Sequence, residues 1–153
     1  PAPAALAAAL APKYPAPAEG GAVAAVVDLG EAQASVSLVH FYQGESKVLA
    51  TAADYHLGCL NFDLLIFRHL SAKHGLADAG VALGNKSGSR LLAACEKLRK
   101  LLSTLPTAQL AVEMLVEDRD FSFGLTREEL AECCAEPLRR FAGLARRALG
   151  EWR

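Results

Sequence analysis

The sequence has no surplus of either charge. Lys and Arg number 16 against 17 Asp and Glu, giving a formal net charge of −1, and the two signs are interleaved. This excludes the basic face that a nucleic-acid binder needs. No apolar run reaches the roughly 18 residues of a membrane span. The four cysteines, Cys59, Cys95, Cys133 and Cys134, contain no C-x-x-C pair and no ordered histidines beside them, so a zinc site is not expected. Reduced thiols in an intracellular, cytoplasmic setting are the expectation. Cys133 and Cys134 fall on an expected helix, where neighbours i and i+1 do not share a face. They read as packing thiols rather than as a disulfide. Residues Pro1 to Ala18 have no basic segment before their apolar stretch, so a secretory signal is not supported. Because the chain starts at proline, it reads as a processed or partial sequence.

What is present is enough for a core. Hydrophobic residues make up 52% of the chain, although many are alanine, and a chain of this length can bury roughly two thirds of its unfolded surface. Ala4 to Ala11 is a short alanine-rich helix candidate, and Lys13 to Gly21, with two prolines and a Gly-Gly pair, is a loop. Ala22 to Val27, Ala34 to Tyr42 and Lys47 to Ala52 read as three strands, with a turn at Gly44, and so as an antiparallel meander. From Asn61 the period changes: Phe62, Leu65, Ile66, His69 and Leu70 recur at helical spacing up to about Gly75. Leu76 to Gly88 reads as a loop. Ser89 to Ser103 is a helix whose buried stripe is Leu91, Leu92, Cys95, Leu98, Leu101 and Leu102. Pro106 closes it. Ala108 to Val116 is a strand, and Glu117 to Ser122 leads out of it as a strand or hairpin. Thr126 with Glu129 forms a capping box that opens the last helix. That helix extends toward Leu149 and is kinked or split at Pro137. Residues 1–21 thus form a helix and loop, and 22–153 form one α/β or α+β domain. The helix face Glu96, Arg99, Lys100, Ser103 is, by spacing alone, a salt-bridged surface. Asp28 is, by position alone, the cap of a hairpin turn. His40, His69 and His74 show no ligand spacing, His56 reads as a capping or packing residue before a helix start, and Trp152 reads as an edge-packing residue.

Four segments, in order, resemble the nucleotide-binding domain of the 70-kilodalton heat-shock (DnaK-type) family. They are V-V-D-L-G at Val26 to Gly30, followed by S-V-S-L at Ser35 to Leu38; A-T-A-A-D-Y-H-L-G at Ala50 to Gly58 with N-F-D at Asn61 to Asp63; A-C-E-K-L-R-K-L-L-S at Ala94 to Ser103; and L-T-R-E-E-L at Leu125 to Leu130. The details lean toward the family's 110-kilodalton branch. Where the family reads D-L-G-G-G-T-x-D, this chain has Glu31-Ala32-Gln33-Ala34-Ser35 after its D-L-G.

The resemblance implies an α/β fold of the actin-like ATPase (ribonuclease H-like) type. The chain would be its second lobe, an antiparallel-to-mixed sheet with packed helices that lacks the final strand and helix. It further implies a site for ATP or ADP with magnesium. Asp28 would stand near the metal through a water and take the catalytic position, while Gly30 would approach the phosphates. Glu96, Arg99, Lys100 and Ser103 would hold adenosine, the acid and bases at the ribose and base, the serine at the base edge. Departures count against hydrolysis. Glu31 brings a negative charge toward a polyanion, which at ~4 Å and an effective dielectric of ~20 costs several kcal/mol, and Ser35 stands where the family has a second acid. The implied function is the nucleotide-binding lobe of a stress-response chaperone that acts on a partner chaperone or other protein by promoting nucleotide exchange. At best it is a weak ATPase that needs the first lobe. The alternative is a non-catalytic interaction module; a sugar-kinase-like member of the same superfamily fits less well.

Overall fold

A computed structural model describes residues 3–13, 19–117 and 119–152. Two compact units emerge: residues 1–59 with 139–153, and Leu60–Leu138.

The first unit begins with helix α1 (Pro3–Leu10), continued by a 3-10 turn at Ala11–Lys13. Of the loop expected at Lys13 to Gly21, residues 14–18 lie outside the described residues. Three strands follow, β1 (Ala22–Leu29), β2 (Ala34–Tyr42) and β3 (Glu45–Asp54), paired antiparallel in the order β1-β2-β3. This is the expected meander. The β2–β3 connection is a two-residue turn with both Gln43 (φ 50) and Gly44 (φ 80) left-handed, the geometry that matches the twist of a hairpin. Central β2 is covered on both faces. Ala34, Val36 and Leu38 are buried on one side. A register shift between Leu38 and Val39 follows. Val39 and Phe41 then join Ala7, Ala11 and Val26 in a small core beneath α1. β1 is an edge strand, not a buried one: only Val26 is buried, while Val23, Val27 and Leu29 are 42%, 50% and 41% exposed.

Helix α5 (Ala135–Trp152) supplies the unit's remaining element from Arg139 onward. Pro137 sits in its first turn, where a missing N–H costs nothing. The break in the expected long helix therefore falls before the proline, at Cys134. Leu144 and Ala148 are buried, and Trp152 is about half exposed. Arg140 donates from Nη2 (2.7 Å) and Nε (3.2 Å) to Oδ2 of Asp54.

In the second unit, α2 (Cys59–Lys73) and α3 (Lys86–Leu102) pack with a β4 (Thr107–Val116) and β5 (Arg119–Thr126) antiparallel hairpin. α4 (Arg127–Cys133) follows. The segment expected to lead out of β4 is thus a full strand, with Phe123 and Leu125 buried in alternation. Ile66, Leu70, Leu91, Leu98, Phe123 and Cys134 are among the side chains of one core. Both sheets are purely antiparallel; no parallel pair occurs among the described residues. Helix α3 starts three residues earlier than its spacing suggests. Asn85 is its N-cap, accepting the Gly88 N–H at 2.8 Å and donating to the Gly80 carbonyl at 2.7 Å. No helix among the described residues is long and apolar enough to cross a membrane.

A Cβ at Gly88 would lie 1.8 Å from the Ala82 carbonyl oxygen. Alanine there gains ~1 kcal/mol of helix propensity but overpacks a backbone contact at a cost of ~1–3 kcal/mol or more. Gly88→Ala is expected to lower the urea midpoint; an unchanged or raised midpoint contradicts the contact. In the first unit, the His56 N–H (3.0 Å) and the Arg140 guanidinium hold the Asp54 carboxyl below its ordinary 3.8. A depressed folded pKa gives stability that is complete above the unfolded value and is lost as pH falls through the folded one. Asp54→Asn should therefore flatten the fall in denaturation midpoint below about pH 4 relative to the parent chain.

Candidate functional site: the polar face of α3 and the β1–β2 turn

Helix α3 divides by face. Leu91, Ala94, Cys95, Leu98 and Leu102 are buried, and Leu92 is half-buried. Leu101, expected in this stripe, is 38% exposed, because it falls a residue beyond the apolar arc. Glu96, Lys100 and Ser103 share the exposed side. Lys100 Nζ donates to Glu96 Oε1 at 2.6 Å, one turn away, and this hydrogen bond holds the Glu96 carboxyl below the usual carboxylate range. Ser103 caps the helix, its Oγ donating to the Lys100 carbonyl at 2.6 Å.

Arg99 behaves differently from its three companions. It turns toward α2 and grips Asp63 with two bonds, Nε to Oδ1 at 2.6 Å and Nη2 to Oδ2 at 3.0 Å. The pair is largely buried, with 21% and 9% of the side chains exposed. A bidentate charge-assisted pair of this kind fixes geometry as well as energy. The structure therefore brings Glu96, Lys100 and Ser103 together on one surface and draws Arg99 away into a structural pair. In the sequence, Asp63 stands out only as part of the N-F-D motif. A second contributor carries even less signal. Arg127, the first residue of α4, donates to the Leu102 carbonyl (Nε, 2.8 Å) and the Ser103 carbonyl (Nη2, 3.2 Å). It satisfies carbonyls that the end of α3 leaves open and so steadies Ser103. Its one sequence signal is a basic residue inside the capping box, which forms as expected between Thr126 and Glu129. Lys73 also donates to Glu129 Oε1 at 2.7 Å.

In the first unit, Asp28 is half-buried in β1, opposite Ser35. Among the described residues its carboxylate makes no hydrogen bond or ion pair. Gly30 opens a tight turn: its N–H donates to the Gln33 carbonyl at 2.8 Å, and its carbonyl accepts from the Cys59 N–H at 2.9 Å. Gly58 lies so close that a Cβ there would stand 2.2 Å from the Glu31 carbonyl oxygen. The turn is thus seated on the H-L-G segment by backbone contact. Glu31, Ala32 and Gln33 are exposed, and the Gly30 amide is already engaged. No group of three or more metal-ligating side chains occurs among the described residues.

This fold and these motifs define a member of the actin-like ATPase class, in its mixed α/β form with antiparallel sheets. A family model described as Hsp70 protein matches residues 1–152. Similar proteins include a heat shock protein homolog of Saccharomyces cerevisiae, 38% identical over 125 residues (81% of this chain, 18% of that protein). Heat shock protein hsp88 of Neurospora crassa is also 38% identical over 125 residues (81% and 18%). Heat shock 70 kDa protein 14 of Arabidopsis thaliana is 35% identical over 128 residues (83% and 15%). The chain belongs to the 70-kilodalton heat-shock protein family, on the side of its 110-kilodalton-like branch. It spans less than a fifth of the length of these relatives.

Removing the carboxylate that holds Arg99 leaves a mostly desolvated guanidinium without its acid. Breaking such a pair costs ~3 kcal/mol, at the low end because Arg99 keeps some exposure. Asp63→Ala is expected to lower the unfolding free energy by about that amount in urea titrations; a loss below about 1 kcal/mol would place the pair among ordinary surface bridges.

Proposed function

We propose that the second unit holds the adenosine part of ATP or ADP on the outer face of α3, as a nucleotide-binding piece of a 70/110-kilodalton-type chaperone. The observation that carries this is the convergence of Glu96, Lys100 and Ser103 on one exposed surface at the end of a helix anchored by Arg127. The donor set suits a nucleoside. A carboxylate accepts from ribose hydroxyls, an ammonium and a hydroxyl donate to ring nitrogens, and Lys100 and Ser103 need only release intrahelical partners to do so. Arg99 enters as a positioning residue through Asp63, a different part from the direct contact its spacing suggested.

The residues of the β1–β2 turn fit the phosphate and magnesium half poorly. Magnesium would neutralise charge on a phosphate chain, but Asp28 alone takes the metal-linked position that the resemblance implies, Ser35 stands where the second acid would, and Glu31 adds a charge of the wrong sign. No step of hydrolysis is assigned to this chain. In the cell, the reading places it in a cytoplasmic chaperone that acts on a partner chaperone through nucleotide exchange. The exposed Glu31 and the engaged Gly30 amide favour one rival, a non-catalytic interaction module built from the same lobe.

Calorimetry with ADP and ATP separates the two, on this chain and on a version carrying a first lobe at its N-terminus. Binding is expected, with Glu96→Ala weakening it at least tenfold, as loss of a hydrogen bond to a charged group does. Absence of nucleotide binding in both forms overturns the nucleotide reading and leaves the interaction module.

A further inference from the structure

The second unit contains one pair of reactive groups that the nucleotide reading does not use. Cys133 ends α4 and Cys134 is its C-cap, with φ −102° and ψ 16°, outside helical geometry. α5 starts at the next residue. The rule that separates neighbouring side chains on a helix therefore fails here: the Cys133 and Cys134 Sγ atoms are 3.7 Å apart, in van der Waals contact. Both thiols are free. Their other partners are weak. Cys133 points its S–H at the Leu130 carbonyl (3.5 Å) and Cys134 points its S–H at the Phe62 carbonyl (4.0 Å). Cys134 is fully buried in the core, whereas Cys133 is half-buried and reaches solvent.

We propose that Cys133 and Cys134 form a vicinal dithiol that a peroxide closes reversibly to an intramolecular disulfide. In the first step the Cys133 thiolate, the accessible one, attacks a peroxide oxygen. The O–O bond breaks, Cys133 becomes a sulfenic acid, and the departing hydroxide takes a proton to leave as water. In the second step the Cys134 sulfur, already in contact, attacks the Cys133 sulfur. The S–S bond forms and the S–O bond breaks; the hydroxide released takes the Cys134 proton and leaves as a second water. Two thiols lose two electrons and one peroxide gains them.

Geometry decides the character of the bond. Adjacent Cα atoms are ~3.8 Å apart, closer than the ~4.4–6.8 Å of ordinary disulfides, so the ring is strained and easily reduced. Strained disulfides are the labile, regulatory kind. The interrupted helix supplies the freedom that the ring needs, which a continuous helix would deny. Closure would also draw the Cys134 sulfur away from α2, the helix that carries Asp63. Burial pushes the Cys133 thiol above its ordinary 9.0 and the Cys134 thiol up to about 12, so the first step is slow at neutral pH and quickens with the thiolate fraction.

The test is hydrogen peroxide treatment of the full chain, followed by alkylation under non-reducing conditions and mass spectrometry. The expected result is loss of two of the four thiols, with a mass lower by two hydrogens located on the peptide holding both residues. The rate should rise roughly tenfold per pH unit between pH 7 and 9, and dithiothreitol should restore all four thiols. Cys133→Ser and Cys134→Ala should each abolish the two-hydrogen loss, and Cys95→Ser should leave it unchanged. Circular dichroism establishes that each variant is folded. If Cys134→Ala does not fold, Cys133→Ser and the mapped peptide decide alone. Two-thiol loss that survives Cys133→Ser, a disulfide between two chains, or overoxidised Cys133 beside an intact Cys134 thiol would each overturn the proposal. None of these readouts depends on nucleotide binding.

Discussion

The pairing of Asp63 with Arg99 organises the second unit. Both charges are taken largely out of water, and their attraction offsets that cost only because the geometry is bidentate. The pair fixes the rotation of α3 about its axis relative to α2. With Arg99 committed inward, Glu96, Lys100 and Ser103 are carried together onto the solvent face. The exposed constellation is thus a by-product of a buried one.

Much of this was legible in the sequence where a signal is local. β2 spans Ala34–Tyr42 as its run of serine, valine and aromatic residues indicates, since a strand covered on both faces writes its burial into consecutive residues. The capping box of Thr126 and Glu129 is a contact between residues three apart, and so is visible without tertiary information. The i, i+4 bond from Lys100 to Glu96 is legible for the same reason. What was not legible depends on distant partners. Arg99 looks like a fourth member of a surface row until Asp63, far away in sequence, is brought beside it. Arg127 looks like an ordinary first-turn residue until the end of α3 arrives to be capped.

Other differences have local causes that competing signals obscured. Phe121, Phe123 and Leu125 alternate as a strand should, but the charged residues before them masked the start of β5. The expected long helix breaks at Cys134 because Pro137 is comfortable only in a first turn, which moves the break upstream of the proline itself. The polar, glycine-containing stretch Leu76 to Gly88 suggested an uninterrupted loop, yet Asn85 is a good N-cap and starts α3 at once. In the β1–β2 turn, the sequence departure from the glycine-rich pattern was plain, but the reason Gly58 must remain a glycine was not. It lies in the approach of the Glu31 backbone, which no property of residues 56–60 reveals.

The division of the first unit between the two ends of the chain has a kinetic consequence. The meander β1-β2-β3 pairs only consecutive strands across short turns, so its loop-closure entropy is small and it can zip early. Its partner helix α5, which reaches β3 through Arg140 and Arg147, arrives only after the whole of Leu60–Leu138 has been made. During synthesis the meander must therefore wait for that helix while the second unit condenses from its own local hairpin and helices. The slowest event expected is not the formation of any element but the late return of one helix, and that interval is when the nascent chain is most open to misassociation.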